Sequence, residues 1–152
     1  MDEKASLSIS ADLYRLDLIR RFVEEKAAAL EADPEAISAV VQAVDEAATN
    51  IIVHGYQKEP GIIEIEIWGE GDAFVVRLRD QAPPFDPTTL PEPDLSLSLE
   101  ERPFGGLGVF LIKQFMDEMR YRVTPQGGNE LTLVKKSILP SVSEEESNEY
   151  NC

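Results

Sequence analysis

Cysteine is nearly missing from this chain. Its one thiol, Cys152, is the last of 152 residues, so no internal disulfide can form and no CxxC pair offers a zinc site. A single histidine, His54, likewise excludes a histidine cluster as a metal centre. Basic residues are scarce: 14 Lys and Arg stand against 29 Asp and Glu, for a formal net charge of −15. A surface of that sign repels phosphate, which argues against nucleic acid as a direct partner. The same charge would speed an encounter with a basic protein surface, or serve solubility alone. No stretch reaches the ~18 apolar residues of a membrane span, and the polar opening MDEKASLSIS has no apolar signal-peptide core. A cytoplasmic protein is the expectation.

What is present is enough for one compact domain, with 43% hydrophobic residues. KASLSIS alternates as a short strand. Ser10 offers an N-cap for a helix over 11–31, in which Leu13, Leu16, Ile19, Val23 and Ala27 recur at helical spacing. Asp33-Pro34 restarts the chain as an N-cap followed by proline in the first turn, and a second helix is predicted over 34–55. GIIEIEIW and AFVVRLRD read as a hairpin turning at Glu70-Gly71. Its expected register pairs Ile63 with Leu78 and Ile65 with Val76, and sets Glu64 opposite Arg77. Residues 83–103 hold six of the ten prolines, a composition suited to a functional lid or a disordered loop. GGLG at 105–108 opens a third helix reaching about 118. RYRVTP and ELTLVKK read as final strands. The domain is placed at 1–140, with an acidic, disordered tail over 141–152. Because a tight hairpin is antiparallel, the simplest packing is a mixed sheet with helices on one face.

Three places carry polar residues that an ordinary core would not need. On the second helix, Ile37, Val40, Val44, Ala48, Ile51 and Ile52 form the apolar face. Gln42, Asp45 and Thr49 flank it as solvated positions. The opposite side holds Ala39, Ala43, Glu46, Asn50 and Val53, and the small residues at 39 and 43 read as clearance for a ligand. Glu46 and Asn50 are one turn apart and reach the same spot, as a polar edge or as part of a site. On the returning strand, Phe74, Val76, Leu78 and Asp80 share the core face. A buried carboxylate needs a donor, which an Asx-type turn into Pro83-Pro84 or a ligand amine would supply. Finally, glycines ahead of GVFLIKQF leave backbone N–H groups at a helix start, an anion site that is weak evidence alone. The run lacks GK[ST] and is a poor dinucleotide fingerprint.

Taken in order, ExxxN (Glu46, Asn50), DxxPPFDP (Asp80 to Pro87), GGLGVFLI and a final GNELTL strand resemble the GHKL ATPase superfamily. The likeness is nearest to the small anti-sigma-factor serine kinases of bacterial partner-switching systems, and covers about residues 5–137. It implies an α/β (α+β) two-layer sandwich of the Bergerat ATP-binding type, with a mixed, mostly antiparallel sheet. By resemblance, Asp80 would accept from the adenine amino group, Asn50 would hold Mg²⁺ and Glu46 would be the general base on a serine hydroxyl. Pro84, Phe85, Gly105, Gly106, Leu107, Gly108 and Val109 would line or bind ATP. Thr132 would touch adenine through water, and His54 would sit on the phosphate side. Residues 87–104 would form the ATP lid, with Arg102 as a phosphate contact. One glycine of the family's adenine-side box is Ala82 here; either that loop is altered or the position does not need a positive φ. The implied partners are a STAS-type anti-anti-sigma protein, a sigma factor or other regulator, and a second copy in a homodimer.

Overall fold

The computed structural model of the chain describes residues 4–89, Ser96 and residues 106–140. The expected tail at 141–152, Arg102, Gly105 and most of the lid lie outside the described residues. Among the described residues, five strands form one sheet: β1 (Ala5–Ser10), β2 (Ile62–Glu70), β3 (Ala73–Asp80), β4 (Glu118–Val123) and β5 (Asn129–Lys135), in the order β1-β2-β3-β5-β4. All four pairings are antiparallel, so the expected mixed sheet is corrected to a fully antiparallel one. The reason is topological. The crossover after β3 carries the chain to the sheet edge as β4, parallel to β3 but one position away, and β5 folds back into the gap.

Among the described residues, three α-helices cover one face: α1 (Leu16–Ala29), α2 (Pro34–Asn50) and α3 (Gly106–Phe115). The first begins later than Ser10 allows, because Ser10 is spent in the sheet opposite Ile62. Asp12 caps instead, accepting from the Tyr14 N–H at 2.9 Å ahead of a 3-10 turn at Leu13–Arg15. Asp33 caps α2 as expected, accepting from the Glu35 N–H, with Pro34 in the first turn. After Asn50 the helix loosens into a π turn, Ile51–Gly55. The whole run Pro34–Gly55 is long and apolar enough, by length and composition, to cross a membrane, which the sequence reading did not anticipate. Its buried residues Val40, Ala43, Val44, Ala47, Ala48 and Ile52 make it the central core helix.

The hairpin register differs from expectation by two residues. Gly71 takes φ +64 and forms the turn with Asp72, so Glu70 pairs with Ala73. Ile63 therefore faces Asp80, Ile65 faces Leu78 and Ile67 faces Val76. Arg77 meets Glu66 rather than Glu64, through bonds of 3.1 and 2.9 Å. A shift of two keeps every side chain on its expected face. The core forms where Ile19 and Val23 of α1, Val40 and Val44 of α2 and Ile112 of α3 meet Ile63, Ile65, Phe74, Val76, Leu78 and Leu133. Each such fully buried side chain contributes about 1.5–3 kcal/mol. The other sheet face carries Trp68, Val75 and Val134 beside an ion-pair network. There Glu130 accepts from Arg79 and Arg122; burial pushes its pKa up, but the two guanidiniums outweigh this and hold it below the ordinary value.

Candidate functional site

Between the C-terminal end of α2 and the end of β3 lies a cavity of about 520 Å³. Its wall includes Ala47, Asn50, His54, Asp80, Pro84, Phe85, Tyr121 and Asn129. The π turn supplies much of one side: the Tyr56 N–H reaches back five residues to the Ile51 carbonyl at 2.8 Å. The wider turn contributes Ile51, Val53, His54 and Gly55 in near succession. Tyr56 then pins this segment to the sheet. Its hydroxyl donates to the Ile62 carbonyl at 2.8 Å and accepts from the Gln81 N–H at 2.7 Å. Gly61 must be glycine beneath that ring, since a Cβ there would lie 2.4 Å from ring carbons.

Asp80 ends β3 on the cavity side at 5% exposure. Its Oδ1 accepts from the Ala82 N–H at 2.9 Å and from Asn129 Nδ2 at 2.8 Å. Its Oδ2 accepts no hydrogen bond among the described residues. Burial raises the pKa of Asp80, and the bonds from Asn129 and Ala82 pull the other way without cancelling the rise. The Asx-type turn to Ala82 is thus present, and the second oxygen is still left for a ligand. Ala82 is 2% exposed and is not among the residues with positive φ, so a side chain at that position carries no backbone strain.

At the other end, Glu46, Asn50 and Gly108 meet. A Cβ on Gly108 would lie 3.0 Å from Glu46 Oε2 and 3.3 Å from both polar atoms of the Asn50 side chain. Asn50 lines the cavity; Glu46 stands behind it, one turn earlier, against α3. Burial raises the Glu46 pKa, and the neighbouring Asp45 carboxylate raises it further. Burial lowers that of His54, which favours a neutral imidazole.

A cavity with one buried acceptor at one end and a carboxylate–amide pair against a helix-start glycine at the other suits a nucleotide. Residues 9–135 match the family model of the histidine kinase-like ATPase domain. The chain belongs to that family. Within it, the anti-sigma F factor of Thermoanaerobacter sp. (strain X514) is 32% identical over 117 residues, covering 76% of this chain and 81% of the relative. That of Clostridium novyi (strain NT) is 33% identical over 115 residues, covering 70% and 76%. The anti-sigma F factor of Halalkalibacterium halodurans is 27% identical over 136 residues, covering 89% and 93%. In fold, the chain superposes with a TM-score of 0.60 on the RsbU and RsbW domains of Rv1364c from Mycobacterium tuberculosis. The match is at 18% identity and covers 91% of this chain and 34% of that one.

The cavity is lined by Asn50, His54, Asp80, Pro84 and Phe85, five of the residues the resemblance grouped. Gly106, Leu107 and Gly108 form the first turn of α3. Four expectations need correction. Thr132 lies on the opposite sheet face, paired with Arg77 and Arg120, because side chains alternate along β5 and Leu131 and Asn129 take the cavity side. Val109 is 2% exposed and packs inside, so only its backbone can serve a ligand. Ala43 is fully buried core, not clearance for a ligand; Ala47 is the small residue on the cavity wall. Asp45, read as solvated, is bonded to Arg20 of α1. Sequence reasoning missed Asn129, Tyr121 and Tyr56. The GNELTL strand is singled out in sequence for its threonine, and only the register Asp80↔Asn129 brings its asparagine to the aspartate.

Proposed function

We propose that this ATPase domain is a protein serine kinase of a bacterial partner switch. It would phosphorylate a STAS-type anti-anti-sigma protein and bind a sigma factor in alternation. The observation that carries the reading is the convergence of Glu46, Asn50 and Gly108 at the edge of the cavity that Asp80 closes. Asp80 Oδ2 accepts from the adenine 6-amino group, the neutral His54 and the N-terminal turn of α3 lie toward the phosphates, and Glu46 takes the proton from the serine hydroxyl. The serine oxygen then attacks the γ-phosphorus in line and ADP leaves. A carboxylate whose pKa is raised by burial is a stronger base than an exposed one.

Mg²⁺ is the implied metal. Among the described residues no group of three or more His, Cys, Asp or Glu could hold a metal. This fits an ion held chiefly by nucleotide phosphates and water, with the Asn50 amide oxygen as the protein ligand. When bound, Mg²⁺ would neutralise phosphate charge. The name shared by the relatives supports a sigma factor as the sequestered partner, and the resemblance supports a homodimer.

The test is labelled ATP, Mg²⁺ and the co-purifying STAS-type protein. Serine phosphate should appear on that protein and vanish in Glu46→Ala. Label on His54 would refute the serine reading. Transfer-free regulation that survives Glu46→Ala would make the domain an ATP-gated binding module instead, and serine phosphorylation without sigma-factor binding would point to another target.

A further inference from the structure

The Asn129 side chain takes part in five hydrogen bonds at the end of the cavity. Its Nδ2 donates to Asp80 Oδ1 at 2.8 Å and lies 3.2 and 3.3 Å from the carbonyls of Ala82 and Pro83. Its Oδ1 accepts from the Phe85 N–H at 2.9 Å and from the Tyr121 hydroxyl. One amide thus joins β5, β4, the end of β3 and the loop 82–85. Close by, Gly128 permits this register: a Cβ there would lie 2.1 Å from the Asp80 carbonyl oxygen.

We propose that Asn129 is a positioning residue that sets nucleobase preference, by holding Asp80 Oδ1 so that Oδ2 is the one acceptor offered to the base. This rests on the reading of Asp80 as the adenine contact. A carboxylate oxygen fixed in place accepts from a 6-amino purine and opposes a 6-oxo purine, whose O6 is itself an acceptor. If Asp80 could rotate, either oxygen could turn away and the penalty on the oxo base would shrink. The amide can serve because Tyr121 and Phe85 fix its own orientation: with Oδ1 accepting twice, Nδ2 must face Asp80. Bonds to a charged group are also the ones with the largest effect when lost.

The experiment measures binding of ATP and of ITP to the full chain. Wild type should prefer ATP, and Asp80→Asn should lose that preference. In Asn129→Ala the ATP-to-ITP ratio should narrow by about tenfold or more, the loss expected of one bond to a charged acceptor. Tyr121→Phe, which frees the amide from the other side, should narrow it less. Asn129→Asp sets a carboxylate against Asp80, and the pair would take up a shared proton as pH falls. Its ATP affinity relative to wild type should therefore recover as pH falls, a dependence that packing alone would not produce. Taking the ratio to wild type at each pH cancels titration of the nucleotide and of the other ionisable groups of the site, Glu46, His54 and Tyr121 among them. If the wild-type preference exists and needs Asp80, but the ratio is unchanged in Tyr121→Phe and the Asn129→Asp ratio is flat with pH, the role of Asn129 is refuted. If wild type does not distinguish ATP from ITP, or Asp80→Asn retains the preference, the adenine reading itself fails.

Discussion

Replacing Gly108 with alanine perturbs the site where α3 meets Glu46 and Asn50 and separates stability from function. Gly108 is the third residue of α3, where alanine favours the helix by about 0.5–1 kcal/mol over glycine. Against that gain, the new methyl would lie 3.0 Å from Glu46 Oε2 and 3.3 Å from Asn50 Nδ2 and Oδ1. These are ends of flexible side chains, so they can yield, and an off-rotamer shift costs about 0.5–1.5 kcal/mol. The two terms nearly cancel, and the melting free energy should stay within about 1 kcal/mol of wild type. Function should not be spared. Both displaced groups are those proposed to hold the metal and take the serine proton, and misplacement by ~1 Å costs up to ~10²-fold in rate. Phosphoryl transfer should fall about 10- to 100-fold, equivalent to ~1.4–2.7 kcal/mol of barrier. Chemical denaturation and transfer of labelled phosphate, run on the same preparation, give both numbers. Wild-type transfer by Gly108→Ala would refute the assignment of Glu46 and Asn50. A loss of stability well beyond 1 kcal/mol would show that the contact cannot relax and that backbone packing sets the position.

Three further outcomes follow from the geometry. Asp80→Asn should weaken ATP binding at least about tenfold while raising stability at neutral pH. Burial lifts the Asp80 pKa above its unfolded value, so the folded chain holds the proton more tightly and wild-type stability falls as pH rises through that interval; the advantage of the variant, read by denaturation at several pH values, should vanish below the ordinary aspartate range. Gly128→Ala drives a Cβ to 2.1 Å from the Asp80 carbonyl and 3.0 Å from Gln81 Cα; backbone cannot yield as a side chain does, so destabilisation should reach or exceed the upper end of the ~1–3 kcal/mol seen for overpacking, measured by urea unfolding. Tyr56→Phe removes the partner of the Gln81 N–H and the Ile62 carbonyl; water can reach both, so the cost should be about 1 kcal/mol, and an isothermal titration should show weaker ATP binding because the end of β3 loosens.

Much of this molecule is written locally. Alternation in β2 and β3 and the 3.6-residue period of α1 and α2 follow from backbone geometry alone. They placed Asp80 on the core face and Glu46 one turn from Asn50 before any fold was assumed. The turn chemistry at Gly71 and the cap at Asp33 are local in the same sense, although the hairpin register was off by two because Glu70 is still in the strand. What the sequence could not decide were contacts between segments far apart in the chain. Asn129 reaches Asp80 across 49 positions only because β5 inserts between β3 and β4. Thr132 was the plausible choice until that insertion fixed which of the alternating side chains faces the cavity. Ala43 looked like clearance on a helical wheel, yet lies buried in the core, and Ala47 took the cavity wall. Periodicity tells a residue which face of its own element it occupies; only the packing of elements tells what that face meets.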